Sequence, residues 1–186
     1  MSSFESESTF WETDNEQSIL QENLISQIAK IINNLINLNE ENDEYIIKVM
    51  EQSYLKFHSN YLPNISLEDY IIKIKKYSQI DDATLISALI YIDRIIKKGL
   101  FISQYNIYRL LLVCVYLSYK LLEDKRYKID YFANIGGVTK EELYNLEYEF
   151  VTLIDFNLNI EEKEYYQYQD YLNNKIEKMK LYDLIE

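Results

Sequence analysis

The sequence predicts an all-α fold, and two observations carry that expectation. Three glycines and one proline in 186 residues leave little material for the tight turns of a many-stranded sheet. Apolar residues recur instead at three- and four-residue steps, and no segment alternates as a half-buried strand does. The stretch from Asp81 to Leu122 organises the rest: two successive helical segments there are apolar nearly all the way round, which in water means helices enclosed by other helices. Asp93 in the first segment and Arg109 and Lys120 in the second are charges that burial alone would not select, so function is sought beside them.

The length suits one domain with appended segments. A net charge of −12 and a pI near 4.6 argue against a surface that wraps a phosphate backbone, so no nucleic acid partner is expected. Acidic residues are densest between Glu5 and Glu22, and residues 1–18 read as a solvated, flexible tail. One cysteine makes no internal disulfide, which predicts an intracellular chain, cytoplasmic and/or nuclear. Cys114 lies inside the most apolar segment and reads as core packing rather than as a nucleophile. No signal peptide is visible, and the apolar run from Leu110 to Tyr119 is too short to span a bilayer, so no membrane association is expected.

Each element then follows from its own signals. Leu24, Ile28, Ile31, Ile32, Leu35 and Leu38 fall on one face of a first helix, and a weaker helix follows through Tyr45, Ile46, Val49, Met50 and Tyr54. Together they form a helical extension over residues 19–60. His58 is the only histidine, so no histidine-based metal site or triad can be assembled, and a local structural hydrogen bond is its expected role. Beyond Pro63, Ser66 with Asp69 makes a capping box that opens a helix burying Leu67, Tyr70, Ile71, Ile74 and Tyr77. The next helix begins at Asp81 or Asp82 and stops at Lys97, Lys98 and Gly99, where basic side chains meet the negative helix end and glycine permits a left-handed cap. A third runs from about Ser103 to Leu122. The stretch YFANIGGV reads as a short helix closed by Gly136 and Gly137, and Thr139 with Glu142 opens another whose apolar face is Leu143, Leu146, Phe150, Leu153 and Ile154. A helix rich in Tyr and Glu completes the chain over residues 161–186.

Catalytic signatures are absent. There is no glycine-rich phosphate loop, no metal-binding cluster, no calcium loop and no nucleophile elbow, so neither a cofactor nor an enzymatic activity is expected. A helical domain with a few placed charges has the profile of a binding module.

The strings ALIYIDRII, YLSYKLLEDKRY and IGGVTKEELYNLEYEFVTLIDFNL together resemble the cyclin box. They supply its Tyr-x-Asp-Arg as Tyr91, Asp93 and Arg94, its lysine and following apolar residue as Lys120 and Leu121, and its glutamate and D-F-x-L ending as Glu147, Asp155, Phe156 and Leu158. The lead-in FHSNYLPNISLEDYIIKIKKY is similar to that of the P/U-type cyclins, the branch related to yeast phosphate signalling. The resemblance covers roughly Leu24 to Ile160, with the box over residues 61–160.

It implies a five-helix bundle around a central helix that binds a cyclin-dependent protein kinase. Carried over position by position, Lys120 and Glu147 grip the backbone around the kinase's C-helix, while Leu117, Leu121, Val151, Phe156 and Leu158 form the apolar groove that receives it. Plainer readings stand beside these: Lys120 as a charge complementing a helix end, Glu147 as an ordinary exposed glutamate, Phe156 and Leu158 as core. Asp93 reads as a structural charge in a buried pair. Cell-cycle cyclins pair the corresponding aspartate with an arginine of the first box helix, where this chain has Lys73 and Lys76, so the partner of Asp93 is open. The substrate-docking patch of those cyclins is missing, and 186 residues leave no room for a second box. Two other functional classes remain: a cyclin-fold scaffold or transcription adaptor without kinase activation, and a helical homo-oligomer assembly protein.

Overall fold

The structure, a computed structural model, describes residues 24–53, 55–124 and 127–183, with the side chains of the last helix as far as Asn174. The acidic tail expected over residues 1–18, and Tyr54 at the end of the second predicted helix, lie outside the described residues. Among the described residues there are eight helices and no strand, as the composition predicts. They are α1 (24–40), α2 (Tyr45–Glu51), α3 (Leu67–Ser78), α4 (Asp82–Lys97), α5 (Ile107–Leu122), α6 (Ile129–Gly136), α7 (Lys140–Leu153) and α8 (Glu162–Asp183).

The enclosed helix is α5. Every side chain from Leu110 to Tyr119 is buried, and α4, α6 and α7 pack around it. Burying ten successive residues leaves no solvated stripe, which accounts for the lack of polar periodicity in this run. Cys114 is fully buried there and its thiol is pushed well above its ordinary pKa by burial, in keeping with a packing role. The helix starts at Ile107 rather than Ser103, because Asn106 folds back on the preceding turn: its Oδ1 accepts from Ser103 N at 3.0 Å and its Nδ2 donates to Phe101 O at 2.7 Å.

The two predicted N-caps form, although the Glu142 carboxylate turns to Arg109 instead of completing a box and Tyr77, expected on the buried face of α3, is exposed. Ser66 accepts from Asp69 N at 3.0 Å and Thr139 from Glu142 N at 3.0 Å. Gly99 and Gly137 adopt φ 97° and 76°, closing α4 and α6 in the left-handed conformation glycine takes without a Cβ penalty.

α1 departs from the expected stripe. Leu24, Ile25, Ile28, Ala29, Ile32 and Ile36 are buried, whereas Leu35 and Leu38 are exposed. Isoleucines at 25, 28, 32 and 36 offer a second stripe beside the predicted one, and this is the one the fold covers. α2 buries none of its residues. It is moored at its end, where Gln52 donates to Gly99 O at 2.9 Å and accepts from Phe101 N at 2.8 Å. Phe57 is fully buried against Phe150, edge to face at 6.4 Å between ring centroids. The neighbouring His58 stacks its ring on Tyr105 at 5.6 Å, while its backbone carbonyl accepts from Arg109 at 3.5 Å, so its role is structural, through stacking and a backbone hydrogen bond.

Candidate functional site

The charges that stand out in the apolar helices are all engaged. Near the start of α5, Arg109 Nε donates to Glu142 of α7 at 2.6 Å. At its end, Lys120 pairs with Glu147 of α7, and the Lys120 ammonium also lies 5.3 Å from the centre of the Tyr116 ring. Burial, aided by the nearby Glu147 carboxylate, pushes the Tyr116 phenol up to about 12. These two ion pairs tie α7 to both ends of α5, and the second is open to solvent, with the lysine side chain 40% and the glutamate side chain 18% exposed.

The apolar residues expected around that pair divide by depth. Leu121 and Phe156 are exposed, 55% and 69%, and Val151 and Leu158 are half-buried. Leu117, one turn before Leu121 on α5, is buried at 3% and belongs to the core. Val151 and Phe156 are joined through the backbone, since Phe156 N donates to Val151 O at 2.8 Å. Leu121 and Leu158 meet in a groove of about 600 Å³ between α4, the end of α5 and the start of α8, completed by Leu122, Ile160, Tyr165 and Tyr166. The four exposed or half-buried apolar positions and the ion pair therefore belong to α5, α7 and the connection that follows α7.

Asp93 is half-buried, and its carboxylate accepts from the Tyr168 hydroxyl of α8 at 2.5 Å and lies 2.6 Å from Lys97 Nζ. Its partners come from its own helix and from α8. The lysines of α3 do not reach it, and Lys75 pairs with Asp82 instead.

One further charge, given no role by the sequence beyond its place in a family string, is heavily engaged. Arg94, at the end of the Tyr-x-Asp-Arg string, donates to the carbonyls of Asn157 and Asn159, each at 2.8 Å, and to Glu164 at 2.6 Å. Tyr91, three residues earlier and one turn away, donates to the Leu158 carbonyl at 2.7 Å. The signal was the string itself, a tyrosine and an arginine at i and i+3 on one face of a helix otherwise committed to the core.

An enclosed helix, a cation–anion pair that reaches the surface at its end and an apolar groove at Leu121 and Leu158 are the features of a helical binding module. Among the described residues no group of His, Cys, Asp and Glu is arranged to hold a metal ion, and no helix is long and apolar enough to cross a membrane. A family model described as Cyclin matches residues 22–158, and the chain belongs to the cyclin family. Its relatives are P/U-type cyclins and PHO85 cyclins. Cyclin-U1-1 of Arabidopsis thaliana is 28% identical over 156 residues, which cover 81% of this chain and 74% of that protein. PHO85 cyclin-7 of Saccharomyces cerevisiae is 30% identical over 169 residues, covering 80% of this chain and 59% of that one. The PHO85 cyclin-like protein psl1 of Schizosaccharomyces pombe is 31% identical over 166 residues, covering 83% and 68%. Across eight such relatives the chain spans from 46% to 78% of the other protein's length. Cyclins are regulatory proteins rather than enzymes.

Proposed function

We propose that this chain is the regulatory subunit of a cyclin-dependent protein kinase, which it binds and activates by holding the kinase's C-helix in the active position. The observation that carries the reading is the Lys120–Glu147 pair at the surface of α5 and α7, with Leu121, Val151 and Phe156 on the same helices and the adjoining connection. A paired ammonium and carboxylate can each spare hydrogen-bonding capacity for a partner's backbone, and exposed apolar side chains beside them gain by being covered. In this reading Leu121, Val151, Phe156 and Leu158 form the apolar groove that receives the C-helix, and the buried Leu117 supports it from the core. In this reading the kinase-binding unit is the box of residues 61–160, with residues 19–60 and 161–186 as helical additions. The fungal relatives are named as cyclins of PHO85, which supports a kinase of that class as the partner.

Activation follows from kinase chemistry. A protein kinase needs an ion pair between a lysine of its third strand and a glutamate of its C-helix to position ATP, and that helix must be turned inward for the pair to form. A protein that binds only the inward arrangement shifts the population toward it in proportion to its differential affinity.

Recovery of the tagged full-length chain from its own cells, followed by a kinase assay with and without added chain, tests the reading. A co-purifying protein kinase whose activity requires the chain is the expected result. Recovery of the chain alone, or of a kinase indifferent to it, overturns the reading and leaves the scaffold or self-assembly classes.

A further inference from the structure

The connection between α7 and α8 is held in an unfavourable backbone shape, and side chains of α4 hold it there. α7 closes with Asp155 N donating to Thr152 O at 3.1 Å and Phe156 N donating to Val151 O at 2.8 Å, the paired bonds that a glycine beyond the helix end ordinarily makes possible. This chain has no glycine at either position. Asp155 has φ 55° and Phe156 φ 57°, two successive residues whose Cβ atoms oppose the left-handed conformation. Such strain persists only where the surroundings over-determine it.

Here the surroundings are Tyr91 and Arg94, on one face of α4, and Lys98, the residue that caps its end. The carbonyls of Asn157, Leu158 and Asn159 are taken in turn by Arg94, Tyr91 and Arg94, and Lys98 pairs with Asp155. Lys98 and Asp155 are both largely exposed, so that pair contributes little. Arg94 is different: its side chain is only 15% exposed, and its planar fork reaches two carbonyls and the Glu164 carboxylate at once, which a lysine cannot reproduce. Above this locked backbone the Phe156 ring stands 69% exposed.

We infer that Arg94 is a positioning residue for partner binding: by clamping the carbonyls of Asn157 and Asn159 directly after the two left-handed residues, it fixes the path of the connection and presents Phe156 as a pre-set apolar anchor. This rests on the regulatory-subunit reading above. An aromatic anchor already in its bound geometry loses less freedom on association, and exposed aromatics are the side chains on which interface energy concentrates.

The test uses the full chain and the cyclin-dependent kinase subunit recovered with it, in a cycle of Arg94→Lys, Phe156→Ala and the double variant. One readout needs no partner: chymotrypsin cleavage after Phe156 under native conditions, which the lock suppresses and Arg94→Lys raises by about tenfold or more as local opening becomes easier. The second is kinase affinity. Arg94→Lys weakens it by about tenfold, and adding Arg94→Lys to Phe156→Ala weakens it no further, because Arg94 acts through that ring. A merely structural arginine gives additive losses, which overturns the proposal, as does undiminished affinity in Arg94→Lys. Should Arg94→Lys fold poorly by thermal melting, Tyr91→Phe replaces it, removing one carbonyl clamp while keeping the buried ring. If no kinase is recovered at all, the regulatory reading fails; cleavage that rises with intact, additive binding defeats only the positioning role.

Discussion

The Tyr168 hydroxyl of α8 donates to the Asp93 carboxylate of α4 at 2.5 Å. Asp93 thereby draws a partner from the C-terminal helix, while Arg94 next to it pairs with Glu164 of the same helix at 2.6 Å. Adjacent residues of α4 thus bind α8 with both signs of charge, Asp93 accepting from a phenol and Arg94 donating to a carboxylate. On α3, Lys75 pairs with Asp82 rather than with Asp93, so the side chains that hold this part of α4 come from α8.

It follows that α8 stabilises the whole bundle. Tyr168→Phe removes a hydrogen bond to a charged, half-buried carboxylate and is expected to cost about 1.5–3 kcal/mol. Ending the chain after Ile160 removes Glu164, Tyr168 and the buried Leu172 together and lowers the melting temperature further. Thermal denaturation followed by circular dichroism measures both, and a Tyr168→Phe variant that melts with the wild type would show the bond to be idle.

Gly136 and Gly99 should respond differently to alanine. A Cβ at Gly136 would stand 2.9 Å from Leu112 Cγ and closer still to its methyls, and Leu112 is fully buried with nowhere to retreat. Overpacking of this kind costs about 1–3 kcal/mol. At Gly99 nothing lies within 4 Å and only the φ of 97° opposes a side chain, so Gly99→Ala should cost about 1 kcal/mol. Urea titration of the two variants ranks them, and equal midpoints would contradict the clash at Leu112.

Legibility from sequence followed the physics of each signal. Caps were readable at Ser66, Thr139, Gly99 and Gly137 because they depend on one residue and its immediate neighbours. The enclosure of α5 was readable because ten buried residues in succession leave a composition no surface helix has. α1 was harder, since two adjacent apolar stripes fit its sequence and only the packing of distant segments chooses between them. At the candidate site, the family strings name Lys120 and Glu147 together and the structure pairs them, whereas the depth of Leu117 is not legible, because spacing along a helix gives direction and not burial. The clamp by Arg94 depends on contacts more than 60 residues away and on two left-handed residues that carry no glycine to announce them.

The buried tyrosines predict sensitivity to alkali. Burial pushes the Tyr91 phenol, which donates to the Leu158 carbonyl, up to about 12, and raises Tyr70 and Tyr168 further. A phenol whose folded pKa exceeds its ordinary value of about 10 keeps its proton longer in the folded chain than in the unfolded one. Its contribution is complete below pH 10 and is lost as pH rises through the folded value, so stability should fall from about pH 10 upward. Tyr91→Phe flattens that fall. Denaturant midpoints between pH 8 and 11, with tyrosinate absorbance followed in parallel, check the sign; midpoints that rise with pH over this range refute it.

The Lys120–Glu147 pair should matter far more to binding than to folding. With the lysine side chain 40% exposed, the bond is partly solvent-screened, and either single alanine change should alter stability by less than about 1 kcal/mol. If a kinase covers the pair as proposed, the same charges are desolvated, and removing one leaves the other without its counter-ion in a closed interface. Lys120→Ala and Glu147→Ala are each expected to weaken kinase binding by about tenfold or more, with helical content unchanged. The exchange variant carrying both Lys120→Glu and Glu147→Lys separates the two roles. It restores the attraction between α5 and α7 and should melt like the wild type, yet it shows the partner inverted charges and should bind no better than the alanine variants. Normal kinase binding by the exchanged pair would mean that its purpose is to fasten α7 to α5, and that the partner is gripped somewhere else.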